Sequence, residues 1–186
     1  MASTINANTT TGLVESADLS GVLQLQANGV TQATISSAGF SAPGTVLQVQ
    51  DVTTTTMVST TSSSFTATGL TASITPKFST SKILVLVSMG SIENDGAGSG
   101  VNLNLYRNST VLESFGIING YWSNGTTNAV TATVTSGGSA LYLDSPATTA
   151  STTYSVSFAS NNNSSNVKVQ ANGAASNMIL MEIAAW

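Results

Sequence analysis

Residues 82–92 read KILVLVSMGSI, and the five residues Ile83–Val87 are an unbroken aliphatic run. A run this short, rich in branched side chains and closed by Ser88 and Gly90, predicts a central strand that is apolar on both faces. It falls far short of the ~20 apolar residues of a membrane-spanning helix. Outward from it, the flanking segments alternate. TVLQVQDV (45–52) and SFTATGLTASI (64–74) precede it. GVNLNLYRN (100–108) follows, with Val101, Leu103 and Leu105 on the inward face and Asn102, Asn104 and Tyr106 on the other. Arg107–Thr110 is expected to turn the chain into TVLESFGII (110–118). NAVTATVT (128–135), a turn at Ser136-Gly137-Gly138, SALYLD (139–144), TTYSVSFAS (152–160), an Asn-rich loop over 161–166, NVKVQ (166–170) and NMILMEIAA (177–185) complete the series. The tract TTTTMVSTTSSS (53–64) fits an edge strand or a loop. No 12-residue window carries a helical apolar stripe. Short strands spaced by roughly 8–12 residues predict an all-β fold, an antiparallel jelly-roll-like β-sandwich over residues 45–186.

Residues 1–44 read as a separate arm. Within it, GVLQLQ (21–26) and VTQATI (30–35) alternate on either side of Asn28-Gly29. Asn-Gly accepts positive φ at both central positions of a two-residue turn, so a type I′ hairpin is expected. Leu23, Leu25 and Ala27 fall on one face and Gln24 and Gln26 on the other. A lone hairpin is marginal in water, so this one needs neighbours. Phe40 and Ala42-Pro43-Gly44 mark the expected boundary.

Composition narrows the chemistry. The chain has no His and no Cys, and only 12 of 186 residues are charged, while 57 are Ser or Thr. Without His or a thiol, most nucleophilic, acid–base and metal-binding chemistry has no residues to work with. Four scattered cations, Lys77, Lys82, Arg107 and Lys168, make no basic patch, so neither nucleic acid nor an anionic membrane is an expected partner. The start, MASTINANTT, has no basic segment followed by an apolar one, so no signal peptide is expected. Sparse charge also leaves strand edges without their usual guards. Edges covered by sister subunits or by a partner are the natural remedy.

Three stretches carry a resemblance. TTGLVESADLSGVLQLQANGVTQATISSAGF (10–40) is similar to N-terminal segments of tail-fibre and appendage proteins of tailed bacteriophages, marine and cyanobacterial ones in particular. LTASITPKFSTSKILVLVSMG (70–90), with the terminal ILMEIAAW (179–186), resembles a β-domain of the same structural proteins, and YRNSTVL (106–112) fits its turn. The resemblance implies a surface-exposed virion protein, assembled in the host cytoplasm, a homotrimer whose arm docks on capsid or tail proteins. The chain is short for a whole tail fibre, which leaves a capsid decoration or cement protein, or a small spike-like knob, open.

Candidate site residues follow. Leu23, Leu25, Asn28, Gly29, Ile35 and Phe40 are candidates for docking on the particle or between subunits, and Trp186 for oligomer packing. Tyr121 and Trp122, in a Gly/Asn-rich stretch, suit contact with a host-surface glycan. A glycan-binding adhesin is therefore the alternative function, and a glycan-cleaving spike a lesser one. The acids for cleavage would come from Glu93, Asp95, Glu113, Asp144 and Glu182. Glu93, Asn94 and Asp95 also offer oxygens to a cation, with fewer ligands than a calcium loop supplies. Lys77 and Lys82 lie near many serines, but no spacing singles out a Ser-Lys nucleophile. Glu182 is expected on the solvent side of an edge strand or, if buried, paired with a cation such as Arg107 or Lys168. Asn8, Asn108, Asn124, Asn162 and Asn163 match the glycosylation pattern and read as turn residues. No catalytic residue, metal or cofactor is expected.

Overall fold

Asn28 and Gly29 take φ of 51° and 75° and turn the chain between two antiparallel strands, β1 (Leu23–Ala27) and β2 (Val30–Ser36). Ala27 pairs directly with Val30, so the loop is the two-residue kind that Asn-Gly favours. The computed structural model describes residues 20–95, 99–120, 133–163 and 165–185. A third strand, β3 (Gly39–Ser41), pairs with β2 through Ile35 and Phe40, so Phe40 lies within the sheet rather than at a boundary. Contacts divide the chain into two units between Pro43 and Gly44.

In the second unit, nine strands and one short turn of 3-10 helix follow β4 (Val46–Thr54) in two antiparallel sheets. They are β5 (Val58–Thr60), β6 (Thr66–Ile74), β7 (Lys82–Asn94), β8 (Ser99–Arg107), β9 (Thr110–Gly120), β10 (Val134–Asp144), β11 (Thr152–Ser160), β12 (Val167–Val169) and β13 (Ser176–Ile183). One sheet runs β4-β13-β7, with β10 on the far flank of β7 and the short pair β12-β5 beside its end; the other runs β6-β11-β8-β9. The Thr-rich tract 53–64 is thus the end of β4, then β5, then loop. Successive strands pass from sheet to sheet except at β4–β5, at β12–β13 and at the β8–β9 hairpin, where Asn108 takes φ 52°.

The alternating side chains meet between the sheets. Leu70, Ile74, Val85, Val87, Val101, Leu103, Leu105, Tyr154, Phe158, Met178 and Leu180 are all buried there. At ~1.5–3 kcal/mol per buried large apolar side chain, this layer dominates the favourable side of folding. The architecture is an all-β antiparallel sandwich, as the spacing predicted.

One expectation fails. Ser136-Gly137-Gly138 is not a turn; β10 runs straight through it, with a register shift between Ser136 and Gly138. The glycines serve a close approach. A Cβ on Gly138 would lie 3.2 Å from Ile92 Cδ1, and one on Gly137 would lie 3.3 Å from the Met89 carbonyl oxygen. Gly-Gly in a strand marks a bulge over crowded neighbours as readily as a reversal.

Candidate assembly surfaces

The sandwich has two unlike outer faces. Opposed residues on adjacent strands share a face, so the registers give each face row by row. On the β6-β11-β8-β9 sheet, the outward rows include Thr71–Ser155–Tyr106 and Ser73–Thr153, a skin of hydroxyls and amides. On the other sheet the outward rows are apolar. One runs Leu141–Leu86–Ile179, ending at Asp51; the next runs Leu143–Leu84–Met181–Val49. Ile183 stands in the row beyond, beside Lys82. Leu141 is 67% exposed and Leu143 57%. Between β10 and β13 lies a groove of about 400 Å³, floored by Leu86 and walled by Leu141 and Ile179.

Strands spaced ~4.8 Å apart, rising ~3.3 Å per residue, give this four-strand face a flat footprint on the order of 400 Å². That is the size of the largest apolar patch on a typical soluble monomer, ~300–600 Å², and such patches are commonly functional. The two charges at its margin, Asp51 and Lys82, are opposite in sign.

The first unit offers a second apolar face. Leu23, Ile35 and Phe40 form one row across β1, β2 and β3, with Leu25 and Ala33 beside them. Leu23 and Ile35 are each 44% exposed and Phe40 51%; among the described residues of this unit, only Ala33 is a buried apolar residue. Gln24, Gln26 and Thr31 hydrogen-bond to one another on the polar side. Among its described residues this unit is a single sheet layer with a largely bare apolar face and almost no core.

Four of the candidate acids, Glu93, Asp95, Asp144 and Glu182, are held in polar networks. Lys168 Nζ lies 2.6 Å from Asp95 Oδ2 and 3.4 Å from Glu93 Oε2, so an ammonium stands between the two carboxylates considered for a cation. Asn172 Nδ2 donates to Glu93 Oε1, and Thr133 and Asn166 donate to Asp95. The hydrogen bond from Lys168 holds the Asp95 carboxyl below its ordinary range, and Asp95 in turn raises Lys168. Asp144 accepts from Arg107 and from the Tyr154 hydroxyl. Glu182 is fully buried on the inward side of β13, not on the solvent side of an edge strand, and neither Arg107 nor Lys168 is its partner. It accepts instead from Gln48 Nε2 at 2.5 Å and from the backbone N–H groups of Lys77 and Phe78 at 2.7 and 3.4 Å. These donors clasp the β6–β7 loop against the end of β13. Backbone donors satisfy a buried carboxylate without a cation, and no sequence spacing announces them. Glu113 Oε2 is buried with no hydrogen-bond partner among the described residues.

Lys82 Nζ donates to Ser145 Oγ at 2.6 Å at an exposed position. A Ser-Lys nucleophile needs a desolvated lysine, and this site does not provide one. Asn108, Asn162 and Asn163 accept backbone N–H bonds from Thr153, Ser165 and Ser63, as turn residues do. Tyr121, Trp122, Trp186, Asn8 and Asn124 lie outside the described residues. Among the described residues, no group of three His, Cys, Asp or Glu is placed to hold a metal, and no helix is long and apolar enough to cross a membrane.

Neither a scan against protein-family models nor a search of curated proteins gave a match. The apolar sheet face was not singled out from the sequence, although its signal was present. ILVLV and MILM are runs rather than alternations, and a strand apolar on both sides has something to bury on each.

Proposed function

We propose that the protein is a non-enzymatic structural component of a phage virion, a fibre knob or capsid decoration, which works by assembling as a homotrimer. The observation that carries this reading is the outward apolar face of Leu84, Leu86, Leu141, Leu143, Ile179 and Met181. Its occupant is a second copy of this chain. Around a three-fold axis each copy turns this face toward its neighbours and removes about 400 Å² per chain from water, below the ~600 Å² per partner of a stable interface. The bare face of Leu23, Ile35 and Phe40 supplies further area, and in this reading the arm of residues 1–44 also docks on capsid or tail proteins. The order β4-β13-β7-β10 over β6-β11-β8-β9 supports reading the sandwich as a jelly roll, a fold suited to shells and knobs. The virion setting and the three-fold count rest on the resemblance of residues 10–40 and 70–90 to phage appendage proteins.

Deletion of residues 1–44 tests the placement. The truncated protein is expected to keep its β-sheet circular dichroism and to disappear from purified particles. Truncated protein incorporated at the normal level would refute the docking role of the arm.

A further inference from the structure

The polar face of the sandwich holds a hollow of about 320 Å³, at the small end of ligand sites. Asn102, Asn104 and Ser114 supply its polar atoms, Phe65 forms one side, and Gly116 stands at the rim. The hollow arises where β9 bulges. Asn102 pairs with Ile117 but Asn104 with Ser114, so Phe115 and Gly116 together oppose Leu103, with Gly116 at φ 78°.

Three features point to a ligand. Asn104 is only 8% exposed, yet its Nδ2 reaches only Tyr106 Oη at 3.5 Å, and its carbonyl oxygen accepts from none of the described residues. Asn102, two residues earlier on the same face, makes no side-chain hydrogen bond among them. Asn104 is buried and Asn102 half-buried, and both line the hollow with amide donors and acceptors that no described residue occupies fully. The Phe65 ring beside them is 41% exposed, an apolar surface in a field of Ser, Thr and Asn. Finally, none of the lining residues is charged.

We propose that this hollow binds a neutral pyranose sugar, its C–H face against Phe65 and its hydroxyls on Asn102, Asn104 and Ser114. An anionic ligand would find no cation there. A purely apolar one would strip water from two amides without replacing it. A single sugar ring offers both chemistries at the size of the hollow. The site stands apart from the apolar sheet and does not depend on the assembly reading.

Saturation-transfer NMR on the full chain tests this with the methyl glycosides of glucose, galactose, mannose, N-acetylglucosamine and N-acetylgalactosamine, with N-acetylneuraminic acid as the charged comparison. At least one neutral glycoside is expected to bind saturably, with Kd on the order of 1 mM for a ligand of about a dozen heavy atoms. Phe65→Ala and Asn102→Ala should each weaken it about tenfold or more at an unchanged thermal midpoint. The proposal is overturned if none of the five binds at about 100 mM, if both variants bind as the parent does, or if N-acetylneuraminic acid binds best.

Discussion

Arg107 on β8 and Asp144 on β10 join the two sheets at one end of the sandwich. Arg107 Nη1 donates to both carboxylate oxygens, at 2.8 and 3.0 Å, and the Tyr154 hydroxyl on β11 donates to Oδ2 at 2.7 Å. Asp144 is 5% exposed and Tyr154 fully buried. Asp144→Ala leaves both partners short of an acceptor and should cost about 2–3 kcal/mol in urea unfolding. Tyr154→Phe removes one hydrogen bond and should cost about 1–1.5 kcal/mol.

Burial and the hydrogen bond to Asp144 push the Tyr154 phenol far above its ordinary value of 10.0. A group whose pKa is raised by folding contributes stability below its unfolded value and loses it as pH climbs above that value. Stability should therefore decline above about pH 10. Lys168, also raised, contributes to the decline. Tyr154→Phe should make the decline shallower, as measured by urea midpoints from pH 8 to 11; an unchanged slope would contradict the buried phenol.

Gly90 on β7 passes so close to Ala175 that a Cβ would overlap the Ala175 carbonyl oxygen and lie 2.9 Å from its carbon. The approach is pinned on both sides. Gly90 N donates to Ser176 Oγ at 3.0 Å, and Gln170 N donates to the Gly90 carbonyl at 3.3 Å. The obstacle is backbone and cannot rotate away. Gly90→Ala should destabilise by about 3 kcal/mol, whereas Gly29→Ala, whose Cβ meets nothing within 4 Å, pays only for its φ of 75°. Equal costs for the two would refute the close approach.

Asp95 is depressed by Lys168, so the ion pair contributes stability above the ordinary carboxyl value of 3.8 and loses it as pH falls through the lowered one. The pair is partly exposed and worth less than about 1 kcal/mol. Asp95→Asn should lower stability slightly at pH 7 and match the parent near pH 2, read from thermal midpoints in low salt. A deficit that persists at pH 2 would mean that the Asp95 side chain acts through packing instead.

Patterns within a few residues of one another were legible. Asn28-Gly29 announced its hairpin, Val101/Leu103/Leu105 their inward face, and the strand spacing its sandwich. What depended on partners distant in sequence was not. Ser136-Gly137-Gly138 looks like a turn until Ile92 and Met89 are seen beneath it. Glu182 appeared to need a cation because backbone N–H groups 104 and 105 residues away leave no mark in the sequence. The apolar outer face is shared by β4, β7, β10 and β13, and only their register reveals that Leu141, Leu86 and Ile179 are one row. The hollow at Asn102 and Asn104 depends on a one-residue bulge that no local pattern encodes.

The central claim is assembly through the apolar sheet face, and sedimentation velocity at micromolar concentration tests it most directly. The parent chain should sediment with the mass of a trimer. The double variant Leu141→Asp/Leu143→Asp should sediment as a monomer with an unchanged circular dichroism spectrum, because both side chains point outward. A parent chain that is monomeric, or a double variant that assembles as the parent does, would contradict the account.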